Sequence, residues 1–303
     1  MNDDEYYTFG WHGISFDIPV SWELGKETGT AGDGYVRIDD MYLPRVEVTW
    51  KKPNKKYKLK TIYDNYIRNL KKKIRKRSGR KAEIDILHGF VSPPSDREMI
   101  IFRWEEVDSV YECVSFCREC YRLVFVRYIT HEDSEPVSRA KRLFESLQDH
   151  STDGKSLWSF LGLHAEVPGN LSLENTVLNA GFIRLDFADR DDCASVIMIS
   201  LARELTEKRS LDDIIWIYCK KDLKKYRGID FQKETVRGHN GVIGIPEKKQ
   251  ARFFKPLFPE KGYMRIYGWM CEQKNKIFIV KAYSMSEQGL DETASIHRTI
   301  ACH

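Results

Sequence analysis

The chain is written twice. Gly34-Tyr35-Val36-Arg37-Ile38-Asp39 in the first half recurs as Gly181-Phe182-Ile183-Arg184-Leu185-Asp186 in the second. Glycine, arginine and aspartate are identical, and apolar residues fill the three other slots. Self-similarity at a spacing of about 150 residues constrains the fold before any secondary structure is assigned, because each copy must close its own core.

Other blocks match in the same order. Gly13-Ile14-Ser15-Phe16-Asp17-Ile18-Pro19 faces Gly162-Leu163-His164-Ala165-Glu166-Val167-Pro168, and Leu24 faces Leu173. Val46, Val48 and Trp50 face Val196, Met198 and Ser200. A helical pattern at Leu59, Ile62, Tyr63, Tyr66, Ile67 and Ile74 faces Leu211, Ile214, Ile215, Tyr218, Cys219 and Tyr226. Cys117 followed by Leu123-Val124-Phe125-Val126 faces Cys271 followed by Ile277-Phe278-Ile279-Val280, and Ala140 faces Ala294. Ordered matches of this kind indicate duplication of one domain, as residues 1–150 with a basic helix and residues 151–303. The polar stretch Asp149–Lys155 reads as the linker.

Each half reads as strand, turn, strand, strand, helix, strand, hairpin and helix. Ile14–Ile18 and Leu163–Val167 are short strands that run into a proline. Tyr35–Asp39 and Phe182–Phe187 alternate as half-buried strands do. Tyr111–Cys117 with Leu123–Tyr128 forms a hairpin; Tyr267–Cys271 with Ile277–Tyr283 forms another, turning at Gln273-Lys274-Asn275. Ser210 is placed to cap a helix, with Asp212 and Asp213 in its first turn. The expected fold is α+β, in two duplicated domains, each a mostly antiparallel sheet covered by helices.

Phe16-Asp17-Ile18-Pro19-Val20-Ser21-Trp22, a strand running into proline and then tryptophan, resembles the opening of Mog1/PsbP-like domains. The order of later elements and the length are similar too, so the resemblance covers the chain as two copies. Pro168-Gly169-Asn170-Leu171 departs from it by lacking the tryptophan. The resemblance implies a non-catalytic role in binding or assembling partners.

Hydrophobic content of 42% and charged content of 31% describe a globular protein. No run approaches the roughly 18 apolar residues of a membrane span. Met1-Asn2-Asp3-Asp4-Glu5 does not read as a secretory signal, so a soluble, cytoplasmic protein without membrane contact is expected. The seven cysteines sit mostly inside apolar patterns, as reduced buried thiols do.

Charge is concentrated. Residues 51–81 hold fifteen Lys and Arg against Asp64 alone, a net +14, whereas the whole chain is +4 and the remainder therefore −10. The density peaks at Lys71, Lys72, Lys73, Arg75, Lys76 and Arg77. Cations suit a helix C-terminus, which is the ordinary explanation. Contact with nucleic acid or an acidic protein partner is the functional one. The matching stretch Ala202–Arg227 carries Glu204, Glu207, Asp212, Asp213 and Asp222, so the fold itself does not require this charge. Tyr57, Tyr63 and Tyr66 have core rather than base-stacking spacing.

Candidate chemistry is sparse. Cys113-x3-Cys117-x2-Cys120 has iron–sulfur spacing, but Cys113 and Cys117 share one face of a strand and Cys120 falls in a hairpin turn. Buried thiols are the expectation, with no metal and no cofactor; zinc would need a fourth ligand, for which His88 and His131 can be proposed. Gly29-Thr30-Ala31-Gly32-Asp33-Gly34 leads into a strand, so it is a hairpin loop and not a phosphate cradle. Arg37 with Asp39, and Arg184 with Asp186, share a strand face as ion pairs or as carboxylate-held anion-binding arginines. His239 beside Asn240-Gly241 reads as a turn residue. No catalytic constellation emerges. The expected function is non-enzymatic binding or assembly through a protein partner. Nucleic-acid association through residues 51–81 is the alternative, and an enzyme using an inter-domain cleft comes third.

Overall fold

The computed structural model describes residues 5–53, 58–79, 81, 83–105, 107–151, 153–224, 226, 228–246 and 262–302. The chain divides into two compact units, Met1–Ser151 with Ser159–Leu161, and Thr152–Trp158 with Gly162–His303. The fold is α+β, and the strands fall into three antiparallel sheets.

The first unit opens with β1 (Tyr6–Trp11), β2 (Ile14–Pro19), β3 (Glu23–Gly29), β4 (Asp33–Asp39) and β5 (Pro44–Lys51). Then come α1 (Leu59–Ser78), β6 (Ile84–Ile86), β7 (Arg97–Glu105), β8 (Ser109–Cys117), β9 (Leu123–Ile129) and α2 (Pro136–Glu145). Its main sheet runs β3-β4-β5-β9-β8-β7-β6. The chain continues through β10 (Lys155–Phe160), β11 (Leu163–Pro168), β12 (Ser172–Asn179), β13 (Phe182–Ala188) and β14 (Asp192–Ser200). It ends with α3 (Ala202–Thr206), α4 (Leu211–Leu223), β15 (Ile229–Val236), β16 (His239–Pro246), β17 (Tyr263–Cys271), β18 (Lys276–Ser284), α5 (Glu287–Ala294) and α6 (Ile296–Thr299). The main sheet of the second unit runs β12-β13-β14-β18-β17-β16-β15, the same order element for element.

The sequence pattern underestimates the strands. β1, β3, β6 and β12 are partly exposed and polar or mixed, and strands of that kind carry no clear period of two. His239 opens β16 opposite Val236, and the turn is Arg237-Gly238, both at positive φ. Asp149, assigned to a linker, is 1% exposed and belongs to the first unit. Tyr226 lies beyond the end of α4. Ser210 does cap α4, accepting from the Asp213 amide at 3.4 Å.

Each main sheet is covered by a helix on one face. Leu59, Tyr63, Leu70 and Ile74 of α1 pack on Phe102, Trp104, Val110, Val114 and Leu123. Burying side chains of this size contributes about 1.5–3 kcal/mol each. Gly79, at φ 70°, ends α1 and returns its amide to the Arg75 carbonyl at 3.0 Å. In the second unit, Ile214, Ile215, Cys219 and Leu223 of α4 pack on Ile197, Ile199, Val242, Ile266, Ile277 and Ile279. Trp22 is buried, with the guanidinium groups of Arg45 and Arg139 at 5.9 and 5.5 Å from its ring. Its amide bonds to the Pro19 carbonyl at 3.0 Å. Leu171, also buried, makes the same 3.0 Å bond to Pro168. One turn thus serves both proline motifs, with a different apolar plug.

The ladders fix which residues correspond. In the first unit Arg37 pairs with Glu47, Glu47 with Arg127, Arg127 with Glu112 and Glu112 with Phe102. In the second, Arg184 pairs with Ile197, Ile197 with Ile279, Ile279 with Gly268 and Gly268 with Val242. Counted along these rungs, Cys271 corresponds to Ser115 and not to Cys117. Eight residues separate the rung Ser115–Val124, against four for Cys271–Lys276, so the first hairpin is longer by four. The sequence pairing of Cys117 with Cys271 matched hairpin ends instead of rungs.

The repeated glycine has two different causes. A Cβ at Gly34 would lie 2.3 Å from Trp50 Cζ2 and 2.7 Å from the Thr28 carbonyl. Gly181 has φ +77°, and its nearest neighbour would be Ser200 Cβ at 3.7 Å. Gly34→Ala should therefore cost about 1–3 kcal/mol by overpacking, with partial recovery in a Trp50→Ser background. Gly181→Ala should cost about 1 kcal/mol from the left-handed backbone alone, and Ser200→Gly should not relieve it. Urea denaturation of the four single and two double variants measures this.

Candidate functional site

The outer surface of α1 is the most strongly charged element of the described chain. Its apolar positions face the sheet, which leaves Lys60, Arg68, Lys71, Lys72, Lys73, Arg75, Lys76 and Arg77 exposed. Among the described residues none of these eight pairs with a carboxylate. They extend over roughly 25 Å at the α-helical rise. The expected contact residues Lys71, Lys72, Lys73, Arg75, Lys76 and Arg77 all lie here. Lys55, Lys56, Tyr57 and Arg80 lie outside the described residues. Tyr63 and Tyr66 face inward, in ring contact with Phe102 at 5.3 and 6.3 Å. Only Arg75, Lys76 and Arg77 occupy the last turn, so the helix dipole accounts for three of the eight cations. The corresponding helix α4 has 13 residues against 20 and carries Asp212, Asp213 and Asp222 among its lysines.

Beneath α1 lies a charged row. Glu112 is 3% exposed; its Oε1 accepts from Arg127 Nε and, at 3.1 Å, from the Tyr66 hydroxyl. Arg127 also pairs with Glu47 at 2.9 Å, and the Tyr35 hydroxyl donates to Glu47 at 2.8 Å. Burial pushes the Glu112 carboxyl up, while Arg127 beside it pulls the other way. Burial likewise pushes Tyr66 up, with Glu112 adding to the effect. Lys51, Thr61, Tyr66 and Phe125 line a cleft of about 500 Å³ at one edge of the helix.

Arg37 and Arg184 are engaged by their carboxylates. Arg37 grips Asp39 with two hydrogen bonds of 2.8 and 2.7 Å. Arg184 binds Asp186 at 2.8 Å and Asp222 at 3.2 Å. The repeated Arg-x-Asp is an ion pair in both units, and the fork that would hold an outside anion is filled.

Two further features escaped the sequence reading. Asp40 accepts the amides of Tyr42 at 2.7 Å and Leu43 at 2.6 Å, and this turn holds Met41 and Tyr42 outward at 72% and 83% exposure. Asp189 makes the same turn with the amides of Asp191 and Asp192, both at 2.9 Å, but presents Arg190 and Asp191. The second feature is a cluster at the end of the β8–β9 hairpin. One ligand-type atom each from Cys117, Cys120, Asp149 and His150 lies within 4.8 Å of the others. Cys113, one strand turn away, is buried in the core and outside the cluster. Neither His88 nor His131 belongs to it; His131 binds Asp108 at 3.1 Å. The missed partners sit in the stretch read as a linker, and Asp149-His150, an adjacent acid and imidazole at the end of the first unit, was the available signal. Burial pushes the Cys117 thiol up, and it pushes Cys120 up to about 12 with the Asp149 carboxylate adding to the effect.

No protein-family model matches the chain, and no curated protein matches it. Among the described residues no helix is long and apolar enough to cross a membrane.

Glu112 and Arg127 should behave as a buried pair. Arg127→Leu leaves Glu112 buried without its cation and should cost about 3–5 kcal/mol, with Glu112→Gln in the same chain recovering most of it; chemical denaturation of single and double variants reads the coupling. His12 should make stability depend on pH. Burial, with the Arg122 guanidinium adding to it, lowers this imidazole from 6.5 to about 4. Between these values the unfolded chain binds a proton that the folded chain does not. Stability should therefore fall by about 3 kcal/mol as pH drops through that window, and His12→Gln should flatten the slope there.

Proposed function

We propose that the chain is a non-catalytic binding protein made by duplication of one Mog1/PsbP-like domain, and that its first copy engages the phosphate backbone of nucleic acid through α1. The observation that carries this reading is the row of eight exposed cations on α1 without carboxylate partners among the described residues. Protein interfaces are depleted in lysine and centre on aromatic or aliphatic anchors. No large exposed apolar residue lies on α1. Phosphate contact needs charge and spacing rather than anchors, and it positions a protein without reading sequence. The inward-facing tyrosines fit duplex backbone better than stacked single strands. A non-catalytic role accords with the way buried carboxylates are engaged: Glu112 by Arg127, Asp149 by Arg97 and Asp133 by Arg139.

A protein partner is the second reading, and one observation favours it: Met41, Tyr42 and Leu43 are exposed on an aspartate-capped turn that its counterpart at Asp189 leaves polar.

Fluorescence polarisation of the full chain with labelled duplex DNA and RNA tests the first reading. Affinity should fall with a slope of log Kobs against log[salt] of about −4 or steeper. The variant Lys71→Glu, Lys72→Glu, Arg75→Glu, Arg77→Glu, with its circular dichroism unchanged, should lose binding by more than about a hundredfold, since each lost phosphate contact removes counterion release. Unaltered binding by that variant, or no binding by the wild type at low salt, overturns it in favour of the apolar turn.

A further inference from the structure

The strongest unassigned chemistry is the Cys117, Cys120, Asp149, His150 cluster, which is separate from α1 and independent of the reading above. Cys117 closes β8 and Cys120 sits in the turn, so a C-x2-C pair crosses the tip of a hairpin. The segment following α2 returns Asp149 and His150 to the same spot. Cys117 Sγ lies 3.5 Å from His150 Nδ1, and Cys120 Sγ lies 3.3 Å from Asp149 Oδ2. A tetrahedral site with zinc bonds of about 2.0–2.3 Å has ligand-to-ligand edges of about 3.3–3.8 Å. These two of the six edges fall in that range, and all four atoms lie within 4.8 Å of one another.

Neighbouring groups orient each of the four side chains. Asp149 Oδ1 is fixed by Arg97 Nη2 at 2.7 Å, which leaves Oδ2 turned to the thiols. His150 Nε2 meets Glu119 Oε2 at 3.1 Å, a contact that would orient the ring when Nδ1 faces the ion. Nδ1 also approaches Asp149 Oδ1, at 3.0 Å. The Cys120 amide points at Cys117 Sγ at 3.5 Å, a contact that favours thiolate. Arg122 bonds the Asp149 carbonyl and brings a second cation close. Asp96 Oδ2, 3.6 Å from Cys117 Sγ, is the nearest competing acceptor.

We infer that Cys117, Cys120, Asp149 and His150 bind a divalent zinc ion in a closed, structural site that pins the hairpin tip to the end of the first unit. Four protein donors fill the tetrahedron, so no position remains for substrate. On binding, each thiol releases its proton and the two thiolates, the carboxylate and the neutral imidazole coordinate the ion; nothing is oxidised or reduced.

The test is metal content. The full chain, purified without chelator from zinc-supplemented cells, should carry about one zinc per chain by elemental analysis. In cobalt-exchanged protein, thiolate-to-cobalt charge-transfer and intense tetrahedral d–d bands should appear. Cys117→Ser with Cys120→Ser should abolish both signals, while Cys271→Ser with Cys302→Ser, which alters the thiol group near His239 in the second unit, should leave them intact. Glu119→Gln, an exposed change that leaves all four donors, should weaken zinc affinity about 10–100-fold in chelator competition. Wild-type protein without zinc, a Cys117–Cys120 disulfide in protein purified under reducing conditions, or full zinc in the Cys117/Cys120 variant overturns the inference. If that variant fails to fold, the cobalt spectrum of the wild type and the Glu119→Gln competition decide alone, and normal affinity in Glu119→Gln counts against it.

Discussion

A carboxylate buried under a helix governs the first unit. Glu112 stands in the middle of β8 at 3% exposure, where an uncompensated charge is prohibitive. Arg127 on the next strand and Tyr66 on α1 both reach it. The three side chains tie the helix, the central hairpin and the ladder to one arrangement. On the same rung the second unit has Gly268, where an added Cβ would meet Ile215 of α4 at 2.5 Å. The first unit seats its helix over a polar network, and the second seats its helix by apolar contact with bare backbone.

That difference separates what the fold needs from what a unit does with it. Both units keep the strand order, the proline turn, the Arg-x-Asp pair and the aspartate-capped turn between the second and third strands of the main sheet. They part at the outer face of the helix, at the residues presented by that turn and at the hairpin tip. At the turn the backbone solution is retained and only the side chains change, whereas the helix and the hairpin tip also differ in length.

Legibility followed the same division. The Gly-x-x-Arg-x-Asp strands, the paired hairpins and the two amphipathic helices could be read because apolar periodicity records which face is buried. β1, β3, β6 and β12 were not legible, since partly exposed strands with few alternating positions leave no such record. The α1 cations were visible as composition, and the structure supplied the knowledge that all eight point outward. Asp149 and His150 were hidden for a different reason. A short polar stretch near mid-chain resembles a linker, and only the returning path of the chain after α2 shows that Asp149 is core. Likewise Gly34 and Gly181 looked like one constraint, although an indole accounts for one and backbone torsion for the other.

The longer β8–β9 hairpin has a consequence of its own. Its extra rungs lie past the point where the β17–β18 hairpin has already turned, so Cys117 and Cys120 stand on chain for which the second unit has no counterpart. Hairpin tips accept insertions because few tertiary contacts constrain them. The four-residue difference alters no pairing within the shared ladder, although Cys117 and Leu123 on the longer tip are buried. Chain added at an edge can thus carry side chains of its own while the rungs common to both units stay paired.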